Sequence, residues 1–377
     1  MKVIILFTYG ISLKDWNSSG LLEREIKIYN YLSKKCGIKF KFITFGDESD
    51  LDYQDYIPDI EIIPIYKYIN KSKSKYLELM RSFFYPLKIM KLTTFGNSII
   101  KTNQLWGSWM AIILKLLTKN PLMIRTGYDL LTFKKNESTS NIKLLFYKYL
   151  TKFSLKYSDK YIVTSNTDFQ FLTNKFRKYK SKILIIPNWI EKLDAFETRK
   201  IYINKIVSVG RLEKQKNFQH LVEQIGNSNL ELDIYGEGSE KENLTELAKK
   251  NNSKVNFLGK VSNDHLIKKL SNYKYFVSST LYEGNPKALL EAMSAGCIVI
   301  APNVSGVNEI ITNEYNGYLY ELENNNLTNF INEVEEKDNT LIIKNTKEFL
   351  RKKHEIKIIA EKEENVYNYL FNKSNIS

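Results

Sequence analysis

The sequence predicts an α/β protein built from two doubly wound, Rossmann-like domains. Three observations carry this expectation. Short apolar, β-rich runs alternate with helical patterns along the whole chain, as in parallel sheets covered by helices. The alternation restarts after residues 191–204, a polar stretch without clear periodicity that reads as a linker. Finally, 377 residues exceed what one hydrophobic core usually supports, and 43% hydrophobic with 13% aromatic content suffices for two.

In the first half the apolar runs that read as strands are residues 3–8, 40–45, 61–65, 99–102, 122–126, 160–164 and 183–186. Helical patterns lie between them, the clearest at residues 21–35 and 142–157. In the second half the strand runs are residues 206–210, 231–235, 255–258, 275–279, 298–301 and 317–320. Helical segments then continue from 327 to about 370, more than one small sheet needs, so a terminal helix is free to pack back on the first domain. The expected layout is a first domain over 1–193, a second over 194–350 and a terminal helix over 351–377. No repeat of solenoid length is visible.

Composition removes several classes of function. Cys36 and Cys297 are the only cysteines, which excludes a disulfide scaffold and argues against a cysteine-based zinc site. The histidines are His220, His265 and His354, so the first 219 residues can supply no histidine catalysis and no histidine metal cluster. No bound divalent metal is expected. The opening apolar run ends at Tyr9-Gly10 without a small-residue cleavage site, unlike a signal peptide. The strongest apolar stretch, residues 109–117, is interrupted by Lys115 and is far shorter than the ~20 residues of a spanning helix. A cytosolic, soluble protein is expected.

The net charge of +14 is uneven. Residues 1–199 hold 33 basic against 18 acidic side chains, and the remainder holds 23 against 24. Two readings stand. The excess can reflect a lysine-, asparagine-, isoleucine- and tyrosine-rich composition of an AT-rich coding sequence. It can also mark a basic face that meets an anionic partner. Lysines flank aromatic and aliphatic runs in 71–91 and 106–119, which suits peripheral docking on an anionic membrane leaflet. A nucleic-acid partner is not expected, since it would account for the charge but not for the acids described next.

The chemistry concentrates between Ser278 and Gly296. A buried strand ends near Ser279, a loop carries Glu283, Gly284 and Asn285, and Pro286 opens a helix through Lys287. That helix presents free N–H groups and a positive dipole end at the carboxyl edge of a parallel sheet, where α/β proteins bind anions such as a diphosphate. Glu291 lies about five residues into the helix, roughly 8 Å along its axis, placed to accept hydrogen bonds from hydroxyls. A second strand runs into Gly210-Arg211 and reaches Lys216-Asn217 before another helix. Arg211 can hold phosphate bidentately and Lys216 can add a point charge. Each motif alone is weak, but both fall at one edge of one sheet, so they can converge on one diphosphate.

These residues resemble the retaining glycosyltransferases of family 4, with the GT-B fold. The likeness includes Glu283 with Glu291, Gly210-Arg211 with Lys216, and the Tyr235-Gly236-Glu237-Gly238 turn. It extends to Val255-Asn256-Phe257-Leu258-Gly259, Ala295-Gly296-Cys297, Asn308-Glu309-Ile310-Ile311 and Asn316-Gly317-Tyr318-Leu319. It is detailed over about 183–320. In the first half it thins to a strand, the Ser19-Gly20 loop and Ile186-Pro187-Asn188. The resemblance implies two domains facing each other across a cleft, and transfer of a sugar from a nucleotide-diphosphate sugar, with UDP or GDP as the nucleotide. No cofactor beyond that donor is implied. The implied acceptor is a hydroxyl of a cell-surface glycan or lipid-linked glycan precursor, at the cytoplasmic face of a bacterial membrane, as in capsule or lipopolysaccharide synthesis.

By the same resemblance, Arg211 and Lys216 neutralise the leaving diphosphate, Glu283 contacts hydroxyls of the transferred sugar, and Glu291 the ribose. Backbone at Gly284, Asn285 and Lys287 faces the sugar or its phosphate, Gly236 lines the nucleotide pocket, backbone near Val261 reads the base, and Gly20 closes over the diphosphate. Many members carry a histidine after the strand matching 122–126. Here the stretch reads Arg125-Thr126-Gly127-Tyr128-Asp129, so a polar role passes to Tyr128 or Asp129, or these residues merely finish a turn. The resemblance favours front-face retention, in which the departing diphosphate helps deprotonate the acceptor. The alternatives are an epimerase or phosphorylase of the same fold, or a non-catalytic partner subunit.

Overall fold

The computed structural model describes residues 1–128, 140–191, 201–323 and 326–374. The chain forms two compact units, Met1–Ile186 joined by Ala360–Ser377, and Pro187–Ile359. In the first, strands β1 (Lys2–Leu6), β2 (Lys39–Thr44), β3 (Ile60–Pro64), β4 (Ser98–Thr102), β5 (Leu122–Arg125), β6 (Lys160–Val163) and β7 (Ile183–Ile185) form one sheet. Their order is β3-β2-β1-β4-β5-β6-β7 and every pairing is parallel. Among the described residues the helices are α1 (Leu13–Ser18), α2 (Leu22–Cys36), α3 (Lys75–Ser82), α4 (Tyr85–Leu92), α5 (Ser108–Thr118), α6 (Asn141–Tyr157) and α7 (Asn166–Lys175).

The second unit repeats the plan with β8 (Lys205–Val209), β9 (Glu231–Tyr235), β10 (Lys254–Gly259), β11 (Tyr275–Val277), β12 (Ile298–Pro302) and β13 (Tyr318–Tyr320). Their order is β10-β9-β8-β11-β12-β13, again parallel throughout. Its helices are α8 (Phe218–Gln224), α9 (Lys241–Lys250), α10 (Asn263–Leu270), α11 (Lys287–Ala295), α12 (Leu327–Glu336) and α13 (Thr340–Lys353). A last helix, α14 (Ile356–Ser374), carries the chain back into the first unit from Ala360.

Every strand run read from the sequence is a strand here, to within a residue or two. All but one of the overruns, residue 317 before β13, fall at carboxyl ends, where the chain leaves the ladder to build loops. Ser278, for example, still donates its N–H to the Ile300 carbonyl at 2.9 Å although β11 has ended. Alternation along the strands sorts the core of the second unit into two layers. Ile206, Val277, Ile298 and Ile300 face one side with Phe218 and Leu221, while Val207, Phe276 and Val299 face the other with Leu289, Leu290 and Met293. Both faces of the sheet are therefore covered, as parallel sheets require.

The second unit starts at Pro187, ahead of the expected boundary at 193/194. The reason is hydrogen bonding: the Asn188 N–H donates to Asn285 Oδ1 at 2.8 Å, and the Ile190 N–H to the His354 carbonyl at 2.8 Å. The apolar stretch around Trp109 forms α5, whose Trp109, Met110, Ala111, Ile112 and Leu114 are buried in the first unit. No helix of the described residues is long and apolar enough to cross a membrane. Asp50, in an Asp50-Leu51-Asp52 spacing, is fully buried. It accepts hydrogen bonds from the Thr44 hydroxyl and from the Leu13 and Lys14 N–H groups, so it anchors α1 to the sheet.

The return of α14 is held by a buried ionic cluster. Ile359, Glu363, Val366, Tyr367 and Leu370 recur at helical spacing and are all buried. Glu363 meets Lys101 Nζ of β4 at 2.8 Å through Oε2 and Arg125 Nη1 of β5 at 3.0 Å through Oε1. The Tyr367 hydroxyl donates to Glu363 Oε2 at 2.8 Å, and Lys101 lies 5.0 Å over the Tyr29 ring. Burial alone would raise the Glu363 carboxyl, but Lys101 and Arg125 outweigh it and hold it below the usual carboxylate range.

Glu363→Ala is expected to cost about 3–5 kcal/mol, because it leaves buried Lys101 without its counter-charge. Pairing it with Lys101→Met should recover much of that loss. Urea unfolding followed by tryptophan fluorescence checks both, since Trp16, Trp106 and Trp109 lie in the first unit. The folded-state pKa of Glu363 is depressed, so its contribution is complete above about pH 4.3 and is lost as pH falls below that value. The wild type should therefore lose more stability in acid than the double variant.

Candidate functional site

The strand order of the second unit reverses direction between β8 and β11, and ligands of doubly wound sheets bind at that point, beyond the carboxyl ends. The two motifs singled out in the sequence leave the sheet there. After β8 the chain passes Gly210 and Arg211, makes a short 3-10 turn at Lys214–Lys216 and enters α8 through Asn217, whose φ is 51°. After β11 it runs through Ser278–Asn285 to Pro286, which caps α11 from just outside the helix rather than occupying its first turn. The expected proline-led start is thus displaced by one residue, because Pro286 has an extended ψ of 109°.

Backbone and side chains stitch the two loops together. The Leu281 N–H donates to the Gln215 carbonyl at 3.0 Å, and Gln215 Nε2 to the Tyr282 carbonyl at 2.6 Å. The Ser279 hydroxyl bonds the carbonyls of Lys216 (3.0 Å) and Asn217 (2.8 Å), and the Thr280 hydroxyl that of Gln215 (3.2 Å). The result is a direct ion pair between Lys216 Nζ and Glu283 Oε1, both mostly shielded from solvent. The stem of Lys216 runs against Gly210: a Cβ there would meet Lys216 Cε at 3.2 Å and Cδ at 3.3 Å. Arg211 is exposed and makes no ion pair among the described residues.

Two glycines are required by close approach. Gly236, at φ 147°, sits so near β8 that a Cβ would lie 1.8 Å from the Gly210 carbonyl oxygen. Gly306, at φ 81°, would place a Cβ 2.3 Å from the Glu283 carbonyl oxygen, and the Glu283 N–H donates to the Ser305 carbonyl at 3.0 Å. The 304–307 loop is therefore a buttress under Glu283, a role with no side-chain signature in the sequence.

The helix α11 has no side-chain cap hydrogen bond, so no side chain at Pro286 satisfies its first N–H groups. Lys287 extends over the Trp189 ring at 5.9 Å. Asn285 is buried and tied to the segment that enters the unit, its side chain accepting from the Asn188 N–H and its carbonyl from Asn188 Nδ2 at 2.6 Å. Its side chain thus holds the loop in place. Glu291 is buried and accepts from Asn263 Nδ2 at 2.9 Å, so an amide, not only a hydroxyl, shares its carboxylate. Val261 lies just before α10, partly buried against the core.

The second sheet thus gathers Gly210, Lys216, Glu283, Gly284 and Pro286, with Gly236 behind Gly210. Gly20 and Tyr128 belong to the first unit, and Asp129 lies outside the described residues. Gly127, beside Tyr128, is tied to Thr164, whose hydroxyl donates to its carbonyl at 2.7 Å. Arg125 from the same stretch is committed to Glu363. Sequence reasoning missed Gln215, Asn263 and the Gly306 buttress; only Ser305-Gly306 beyond β12 offered a signal, as a glycine at the sheet's carboxyl edge. Among the described residues no group of three or more His, Cys, Asp or Glu could hold a metal ion.

Residues 187–355 match the family model of glycosyl transferases group 1. An uncharacterised glycosyltransferase of Methanocaldococcus jannaschii is 33% identical over 198 residues, 47% of each chain, so this chain spans about half the length of that relative. The Escherichia coli UDP-Gal:alpha-D-GlcNAc-diphosphoundecaprenol alpha-1,3-galactosyltransferase is 29% identical over 281 residues, 67% of this chain and 69% of the other. The solved sucrose-phosphate synthase of Thermosynechococcus elongatus superposes with a TM-score of 0.80 at 18% identity, covering 99% of this chain and all of that one. The fold is GT-B.

Gly306→Ala is expected to destabilise the second unit by about 1–3 kcal/mol, since left-handed backbone and a backbone clash cannot both be relieved. The same change should displace Glu283. Urea unfolding reads the first effect; loss of the Lys216–Glu283 contact in a crystal structure of the variant reads the second.

Proposed function

We propose that this chain, a GT-B protein whose residues 187–355 carry a group 1 glycosyltransferase domain, is a retaining, metal-independent hexosyltransferase. It moves a sugar from a nucleotide-diphosphate sugar, UDP or GDP, to a hydroxyl of a cell-surface glycan or lipid-linked glycan precursor. It needs no cofactor besides that donor and works at the cytoplasmic face of the membrane. The observation that carries this reading is the stitched pair of loops: it sets exposed Arg211, the Lys216–Glu283 pair and an uncapped helix end at the switch point of one sheet. The E. coli relative's name describes an acceptor on a lipid diphosphate, which supports the lipid-linked form of the acceptor.

The chemistry follows from charge. Lys216 is already balanced by Glu283, so the uncompensated positive potential comes from Arg211 and the N-terminus of α11. Both suit the two negative charges of a diphosphate. As the bond between the sugar's anomeric carbon and the phosphate oxygen breaks, charge grows on that oxygen, and these groups stabilise it more than they stabilise the ground state. The acceptor oxygen bonds the same face of the anomeric carbon, and its proton passes to the departing diphosphate. Glu283, held by Lys216 and by the 304–307 loop, accepts hydrogen bonds from hydroxyls of the transferred sugar. Glu291, steadied by Asn263, takes the ribose hydroxyls, while Gly236 lines the nucleotide pocket and backbone near Val261 reads the base.

Thermal-shift titration should show stabilisation by UDP or GDP, growing with the ratio of ligand to its Kd. Arg211→Ala should lower turnover by about 10²-fold or more by removing charge from the diphosphate, and Lys216→Ala by a similar factor by leaving Glu283 without its partner. Wild-type activity in both variants would place the diphosphate elsewhere. Glu291→Ala should instead weaken binding of the free nucleoside diphosphate, read by calorimetry; unchanged affinity would remove Glu291 from the ribose.

A further inference from the structure

The first unit exposes an apolar surface that its own fold leaves uncovered. Helices α3 and α4 follow each other almost without break, and Tyr76, Met80, Phe83, Leu87 and Met90 recur along them at steps of four and three. That spacing puts them on one face, and it is the outer one: Tyr76 is 86% exposed, with Phe84 beside the stripe at 67%. The opposite face packs inward through Ser82, Tyr85 and Ile89. Helix α6 repeats the arrangement with Ile142, Leu145, Tyr149 and Phe153, Ile142 being 83% exposed.

Aromatic contacts join the two stripes. Phe83 stacks on Trp109 with centroids 5.7 Å apart, Trp109 meets Trp106 at 5.2 Å, and Trp106 meets Phe146 at 6.0 Å. The rim is basic. Lys71, Lys73, Lys75, Lys88 and Lys91 are exposed around α3 and α4, and Lys143, Lys148, Lys152 and Lys156 along α6. Helix α6 contains no acidic residue. The one acid of α3 and α4, Glu78, is buried and accepts hydrogen bonds from Tyr66, Tyr85 and the Ser72 N–H. Apolar stripes bordered by lysines, on helices that carry no exposed acid, complement an anionic leaflet: rings and aliphatic chains enter the headgroup boundary while ammonium groups meet lipid phosphates.

We infer that α3, α4 and α6 together form the face by which this protein docks on an anionic lipid bilayer. This deepens the membrane location in the proposed function and rests on that reading only for its biological purpose. It also corrects the surface expected from the sequence. Residues 71–91 belong to the face, but the run at 106–119 is the largely buried helix α5, and α6 takes its place.

The test is co-sedimentation of the full chain with vesicles of phosphatidylglycerol and phosphatidylcholine, against phosphatidylcholine alone, at low and high salt. Binding to the anionic vesicles only, weakened by salt, is expected. Phe84→Asp with Leu87→Asp should lower the partition coefficient at least tenfold. Lys148→Glu with Lys152→Glu should do so through charge alone, since each lysine lost is worth about fivefold. Unchanged circular dichroism and UDP or GDP thermal shifts show that the variants are folded. Absence of binding at low salt, or binding that both variants retain, overturns the proposal. A concentration-dependent dimer abolished by the same variants, without vesicle binding, overturns it in favour of an interface between copies. Nucleoside diphosphate binding is read on the same samples, so failure of docking and failure of the donor reading are told apart.

Discussion

Everything proposed for the second unit depends on β8 lying beside β11. That adjacency is the point at which a doubly wound sheet reverses, and it brings two loops from distant parts of the chain to one edge. Adjacency alone would leave them as neighbours. The bonds from Gln215, Ser279 and Thr280 tie them together, side chain to backbone carbonyl across the two loops. Only then do Lys216 and Glu283 meet, and only then does the basic loop share a platform with the start of α11.

The pairing of Lys216 with Glu283 has a further meaning. A lone lysine beside a helix N-terminus is an electrostatic conflict, since both are positive. The carboxylate resolves it, and the buttress at Gly306 keeps that carboxylate from moving away. Charge balance and geometry are thus achieved by the same contact. Arg211 stays exposed and makes no ion pair among the described residues.

The first unit distributes its charges differently. Buried Lys101 and partly buried Arg125 both pair with Glu363 and secure the returning helix. The lysines that remain on α3, α4 and α6 sit beside exposed aromatic and aliphatic side chains. A basic composition with no spatial order would scatter them over all faces and would not align apolar residues at helical spacing on the outside of two separate segments. The helix that looked most apolar in the sequence is instead the one the fold consumes.

How much was legible in the sequence follows from the range of each interaction. Strands, their alternation and the two-domain plan were legible because they arise from local apolar runs such as Val3–Leu6 and Ile298–Ala301. The motif at Glu283 to Glu291 was legible because a strand, a glycine loop and a helix start are consecutive in the chain. What only the tertiary structure decided is long-range. Asn188 holds Asn285, Asn263 holds Glu291, and Gly306 supports Glu283, each across tens of residues and each through backbone geometry or an amide with no distinctive pattern. Arg125 shows the same limit, since its partner Glu363 lies on a helix more than two hundred residues away. Sequence by itself determined which elements form and where the loops at the strand ends fall. The packing of those elements decided which side chains meet, because contact in a folded chain depends on strand order and burial rather than on separation along the sequence.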